Sequence, residues 1–355
     1  MRGKRLERLD DLRGVAALLV VTCHATELWD ATRRRQTPHD LAYLGSFGVA
    51  IFFVISGLVI YRPFVSARAT GGRSDLWGYA VRRLTRIVPP YWVALAFFAV
   101  VLPAAVSPVG STGISTFWAF GQIYTHGTYF QGLGVAWSLG VEMSFYIAAP
   151  LIAFALRRRD SLEPYVLVGL WLLSFLVRVA SPDGVIGGTI VGYFGWFAVG
   201  MWLARASCST TTAKPRLGPA WTWTLAGAGY LLLCEQVPTA WPNQGTLLSY
   251  VGLGLLGGLV VLPAITNPGR PGLKWLGDRS YGVYLWHFPI FQWLAEQRLA
   301  LGLYAAVGLV LTLGAAHFSH RYLEQPLMRR ASALAKLRRG PVSVAPPVRT
   351  SSEVA

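Results

Sequence analysis

Along most of this chain the apolar residues come in long runs, not at every second position and not on one helical stripe. A run with no polar face to offer water is the pattern of a helix that crosses a bilayer. Ten stretches approach the roughly 20 residues such a helix needs. They run Leu12 to Trp29, Leu41 to Tyr61, Ile87 to Val106, Gly134 to Leu156, Pro164 to Ala180, Val185 to Ala204, Pro219 to Val237, Gly245 to Ile265, Ser280 to Ala295 and Leu299 to His320. The pattern predicts an all-α, polytopic membrane protein of about ten transmembrane helices. An even count puts both termini on one side.

Composition agrees, and charge supplies the orientation. Of 355 residues, 54% are hydrophobic and 14% charged, which excludes an ordinary soluble domain. Among 32 Lys and Arg, only Arg33, Arg34, Arg35, Arg178 and Arg298 fall in segments that the ten-helix reading places outside. Basic loops stay in the cytoplasm, so both termini are expected there, in a multi-pass protein of the cell membrane. The net charge of +16 is then membrane topology and does not call for nucleic acid. The Arg33 to Arg35 cluster is a local exception, read as a solvated loop with contact to an anionic acceptor as the alternative.

The basic opening MRGKRLERLD before an apolar run resembles a secretory leader. Arg13, His24 and Glu27 interrupt that run and no small-x-small cleavage site follows, so a retained first helix is expected. Cys23, Cys208 and Cys234 are too few and scattered for a disulfide framework or a zinc site and are expected as small apolar residues. No spacing suggests a metal. The transmembrane domain is expected over 1–330, with 331–355 a basic and then polar, disordered tail. Between Ser107 and Leu133 lies the longest outer loop, whose Ile114 to Tyr129 reads as a re-entrant or interfacial piece with His126 on the surface. Gly254 and Gly258 form a small-xxx-small packing pair.

Ionisable residues inside apolar runs carry the candidate chemistry, because they are costly there. Arg13 and His24 stand eleven residues apart in LDDLRGVAALLVVTCH, about three helical turns and roughly 16 Å along one face. A guanidinium at one membrane surface and an imidazole near mid-bilayer suit a long anionic ligand held at its charged end. In AVRRLTRIVPPYW, Arg83 and Arg86 point the same way, with Arg82 beside them. Their forks fit phosphate, and ordinary positive-inside charge is the alternative. Glu142 lies in AWSLGVEMSFY among Trp137, Ser138 and Tyr146, the candidate substrate-binding residues. It reads as a partner that orients or charge-balances His24, or as a structural ion pair or a protonated acid. Glu27 is a second candidate partner, nearer the outer surface. Adjacent Cys23 and His24 diverge by about 100° and make no thiol–imidazole dyad. His287 reads as a helix-packing hydrogen bond, His317 and His320 as an interfacial network with Arg321 and Glu324, and His39 as a loop residue.

Taken in order, LDDLRGVAALLVVTCH, FFVISGLVI, RRLTRIVPPYW, WSLGVEMSFY and SYGVYLWHFPI resemble the integral-membrane acyltransferase 3 family over residues 9 to 326. Arg13 and His24 match its basic residue, ten others, then histidine; Arg83 and Arg86 match its Arg-x-x-Arg. The resemblance implies an enzyme that moves an acyl group, usually acetyl, from cytoplasmic acyl-coenzyme A to a hydroxyl of a sugar, surface glycan or small molecule. His24 would be catalytic, as base or as transient acyl carrier, and Arg13, Arg83 and Arg86 would hold the coenzyme's phosphates. An enzyme acting without an appended extracytoplasmic domain is expected. The alternative from another class is a proton-coupled transporter, or a flippase of an anionic lipid-linked sugar. The acceptor and the oligomeric state are not legible.

Overall fold

Inside a bilayer every backbone N–H and C=O needs a partner, and a helix supplies it within its own segment. The computed structural model describes residues 6, 8–33, 45–72, 74–101, 114–181, 185–208, 218–236, 247–266 and 272–337, and among these no strand occurs. The helices are α1 (Arg8–Arg33), α2 (Ser46–Ala69), α3 (Leu76–Val101), the short α4 (Ile114–Trp118), α5 (Trp137–Ala155), α6 (Glu163–Ala180), α7 (Ile190–Cys208), α8 (Pro219–Gln236), α9 (Leu247–Thr266), α10 (Lys274–Glu296), α11 (Leu301–Phe318) and α12 (Gln325–Leu337). A helix coincides with each of the ten apolar stretches. Among the described residues seven of them, α1, α2, α3, α5, α6, α7 and α11, are long and apolar enough to cross a membrane by length and composition. Lys274, Asp278, Arg279, His287 and Glu296 lower the hydropathy of α10, the helix that faces α1.

Helices α2 and α7 form the centre, joined by reciprocal glycines. A methyl on Gly57 would stand 2.2 Å from the Phe197 carbonyl oxygen, and one on Gly200 2.1 Å from that of Val54. Lipid tails give apolar helices no hydrophobic reason to associate, so such close backbone approach supplies the adhesion. Gly254 and Gly258 of α9 pack on Trp196 and Val199 of α7, the structural role expected of them. Outward faces stay apolar, as at Leu172, Leu173, Leu176 and Val179 of α6.

The site is positioned by α1 and α10, which lie side by side and run parallel. Asp10 meets Gly277, His24 meets His287, and Arg33 donates to the Leu299 carbonyl at 3.0 Å. Asp11 sets the register by accepting from the backbone N–H groups of Gly272 (3.0 Å) and Leu273 (2.7 Å), the open donors at the start of α10. Gly277 is obligatory there, since its Cβ would come within 2.0 Å of the Asp10 carbonyl oxygen.

Far from this pair, fully buried Glu163 accepts from Tyr61 at 2.5 Å and forms ion pairs with Arg68 (2.7 Å) and Arg205, tying α2, α6 and α7 together. From within α3, Tyr91 and Trp92 donate to the carbonyls of Phe117 (2.8 Å) and Trp118 (2.9 Å). Phe117, Phe120, Ile123 and Leu133 are buried, so the described part of the predicted re-entrant piece is packed into protein, with His126 exposed.

Two expectations change. Arg33 is no solvated loop residue: its guanidinium lies 3.3 Å over the Trp29 ring. Arg34, Arg35 and His39 lie outside the described residues. The tail expected from Ala331 is helical as far as Leu337, because Ala331 and Ala335 share a buried face that packs on α3. Positions 338–355 lie outside the described residues. Between α11 and α12 a π-helical turn, Ser319–Glu324, holds the His320–Glu324 part of the expected network: Ser319 donates to Glu324 at 3.2 Å and His320 lies 3.4 Å from the same carboxylate, while Arg321 is exposed. Nearby, Arg279 donates to His317 at 3.2 Å.

Candidate active site

Helices α1, α2, α3, α5 and α10 enclose a cavity of about 690 Å³, its open mouth included. Arg13, Arg83 and Arg86 line it together with Ser56, Ser138, Glu142, Tyr146, Tyr281 and Tyr284. The three-residue spacing on α3 turns Arg83 and Arg86 to the same side, while Arg82 points out and pairs with Asp75 at 3.7 Å. Among the described residues neither Arg83 nor Arg86 has an ion-pair partner, and Arg83 stands 5.7 Å over the Tyr146 ring. Arg13 is 3.5 Å from Asp10. Glu142 accepts from Ser56 at 2.5 Å and from Tyr146 at 3.0 Å. Three guanidiniums against one cavity carboxylate make a cationic pocket of the kind that holds a polyphosphate.

His24 lies beyond this cavity. Phe52 and Tyr284, rings 5.9 Å apart, stand at the cavity's inner end. Behind them the His24 Nδ1 is 2.9 Å from the His287 Nε2, and the two imidazoles stack with centroids 5.1 Å apart. Phe288 packs edge-on against His24 at 5.5 Å. His287 is fully buried and its Nδ1 lies 3.1 Å from the Val283 carbonyl oxygen. Tyr284 is pinned by Ser138 (2.6 Å) and by the Val135 carbonyl (2.7 Å), whereas Phe52 is held by apolar packing alone.

The structure thus gathers Arg13, Arg83, Arg86, Glu142, Ser138 and Tyr146 into one cavity. It does not bring Glu142 to His24. Glu142 sits at the level of Arg13, and His24 is about three turns further along α1. Nor does Trp137 line the cavity. One residue from Ser138 it points about 100° away, stacking on Tyr129 at 5.6 Å and meeting Phe53 edge-on at 6.3 Å. Glu27 is exposed and accepts from Cys23 at 3.5 Å, away from the imidazole. Sequence reasoning expected of His287 only a helix-packing hydrogen bond, which it makes to His24 across α1 and α10, and passed over Ser56 and Phe52. Among the described residues no group of three or more His, Cys, Asp or Glu is placed to hold a metal ion.

A bundle of apolar helices around a phosphate-sized cationic cavity, with buried His287 and half-buried His24 paired beyond it, is the arrangement of a membrane-embedded group-transfer domain. A family model described as an acyltransferase domain matches residues 6–318, and the chain belongs to that acyltransferase 3 family. Curated relatives include a peptidoglycan O-acetyltransferase of Listeria monocytogenes, 26% identical over 81% of this chain and 49% of its own length. A putative peptidoglycan O-acetyltransferase of Bacillus subtilis is 26% identical over 90% of this chain and 54% of its own. An O-acetyltransferase of Staphylococcus aureus is 24% identical over 92% and 59%. The chain spans about half the length of these relatives. No solved structure matches it.

Proposed function

We propose that this chain is a membrane-bound O-acyltransferase that moves an acetyl group from acetyl-coenzyme A to a hydroxyl of a glycan or related sugar acceptor. The observation that carries the reading is one unbroken helix, α1, presenting Arg13 to the cationic cavity and His24 to an imidazole pair about 16 Å further on. An extended pantetheine arm has about that reach. Arg13, Arg83 and Arg86 would bind the coenzyme's phosphates from the cytoplasmic side, where both termini lie in this reading. Glu142, with Ser56 and Tyr146, shapes the passage and limits its positive charge. Phe52 turns aside to let the thioester pass.

At the far end, neutral His24 takes the proton of the acceptor hydroxyl through Nε2 while that oxygen attacks the thioester carbonyl. The carbon–sulfur bond breaks, the ester forms, and the proton passes from His24 to the departing thiolate. Charge and atoms balance without a metal or redox step. The relatives' names point to a cell-wall glycan as acceptor.

The test uses the full chain purified in detergent with acetyl-coenzyme A. Free thiol should appear when peptidoglycan fragments or a sugar acceptor are added, with matching mass gain of the acceptor, and the His24→Ala variant should lose both while inserting normally. A His24→Ala protein with wild-type turnover refutes the assignment. So does thiol release by the wild type that no acceptor raises. A carrier or flippase would move solute with no thiol release at all.

A further inference from the structure

We infer that His287 is a positioning residue that fixes the proton on His24 and thereby makes its outward nitrogen the base; this rests on the acyl-transfer reading above. The argument starts from a carbonyl, which can only accept. With Val283 O at 3.1 Å, the proton on His287 belongs on Nδ1. In a neutral ring that leaves Nε2 as an acceptor, and the atom facing it at 2.9 Å is Nδ1 of His24. His24 therefore carries its own proton on Nδ1 and donates it to His287. The lone pair of His24 Nε2 is left free on the side away from the pair.

The alternative assignment, a doubly protonated His287, would bury a charge in α10 with no carboxylate against either ring, an arrangement without compensation. Neutral rings satisfy both hydrogen bonds without it. The chain carbonyl, His287, His24 then has the logic of a base held in one tautomer by a third group. A second imidazole stands where a carboxylate is used elsewhere, which keeps the centre free of negative charge. That suits a site reached by a polyanionic donor. Ring stacking at 5.1 Å and the edge of Phe288 hold His24 in the orientation this requires. The register of the pair depends on Gly277 and the Asp11 cap, which lock α1 against α10. His287 touches no reacting atom in this scheme and acts only through His24.

Three variants of the full chain test it, assayed for acetyl transfer in detergent beside His24→Ala. His287→Leu removes the acceptor, so kcat should fall by about a hundredfold, the scale of one general base, with the donor KM unchanged. His287→Gln offers an amide oxygen to His24 and an amide N–H to Val283 and should recover most of the lost kcat. His287→Met, close in size, with no donor and only a weak sulfur acceptor, should behave nearly as His287→Leu and guards against a cavity artefact. Unfolding temperature identifies any variant that is merely unstable, and the Gln and Met pair then decides. The inference is overturned if His287→Leu or His287→Met keeps wild-type kcat, if the loss falls on donor KM, or if His287→Gln, folded, is no better than His287→Met. A dead His24→Ala beside a fully active His287→Leu removes this inference alone; a fully active His24→Ala removes the acyl-transfer reading as well.

Discussion

Arg82, Arg83 and Arg86 provide an internal control within one helix turn. As topology signals the three are equivalent, since each is a basic residue on the same flank of α3. As ligands they are not. Arg82 is 44% exposed in its side chain and pairs with a surface aspartate at 3.7 Å, a contact worth about 0–1 kcal/mol. Arg83 and Arg86 face the cavity and have no ion-pair partner among the described residues. A hydrogen bond to a charged group contributes about 1.5–3 kcal/mol, and each 1.4 kcal/mol is tenfold in affinity. Arg83→Ala and Arg86→Ala should each weaken donor binding by roughly 10- to 150-fold, and Arg82→Ala by no more than about fivefold. Calorimetric titration of the purified variants with coenzyme A reads this directly, and the donor KM for acetyl transfer should follow it with kcat little changed. If Arg82→Ala weakened binding as much as Arg83→Ala, or if neither cavity arginine mattered, the pocket would not be the donor site and the charges would only orient the helix.

Two further outcomes follow from the packing. Glu163→Leu takes from Arg68 and Arg205 their buried partner, leaves Arg68 its ion pair with the exposed Asp160, and should lower stability by about 1–3 kcal/mol, read as an early unfolding transition in detergent, while Glu163→Gln should lose less; a wild-type midpoint for the Leu variant would show that the cluster holds nothing together. Phe52→Ala should raise thiol release in the absence of acceptor, because the ring between the cavity and the imidazoles is gone, and Phe52→Trp should slow transfer; equal rates in all three proteins would mean the donor takes another path.

Local rules made the helices and the cationic cavity legible. An ionisable residue in an apolar run announces itself, and three-residue spacing told Arg83 and Arg86 from Arg82. Pairings across helices were beyond such rules. His24 and His287 are separated by 263 positions, and nothing in either segment names the other. Glu142 was matched to His24 because both are polar and buried, but depth along a helix depends on how α5 slides against α1, which helical periodicity does not encode. Trp137 shows the same limit at short range, since its neighbour Ser138 meets the cavity and it does not. Arg33 read as loop because its partner, the Leu299 carbonyl, lies at the other end of the chain.

The parallel seam of α1 and α10 bears on how the molecule is made. Its first helix leaves the ribosome almost at once, whereas its second emerges only after more than two hundred further residues have been made. Until then His24 has no imidazole beside it and Asp11 no backbone to cap, so under the proposed mechanism a nascent or truncated chain would not transfer acyl groups. On that reading an unfinished copy would spare the thioester, and adding α10 to the bundle would be the act that switches the centre on.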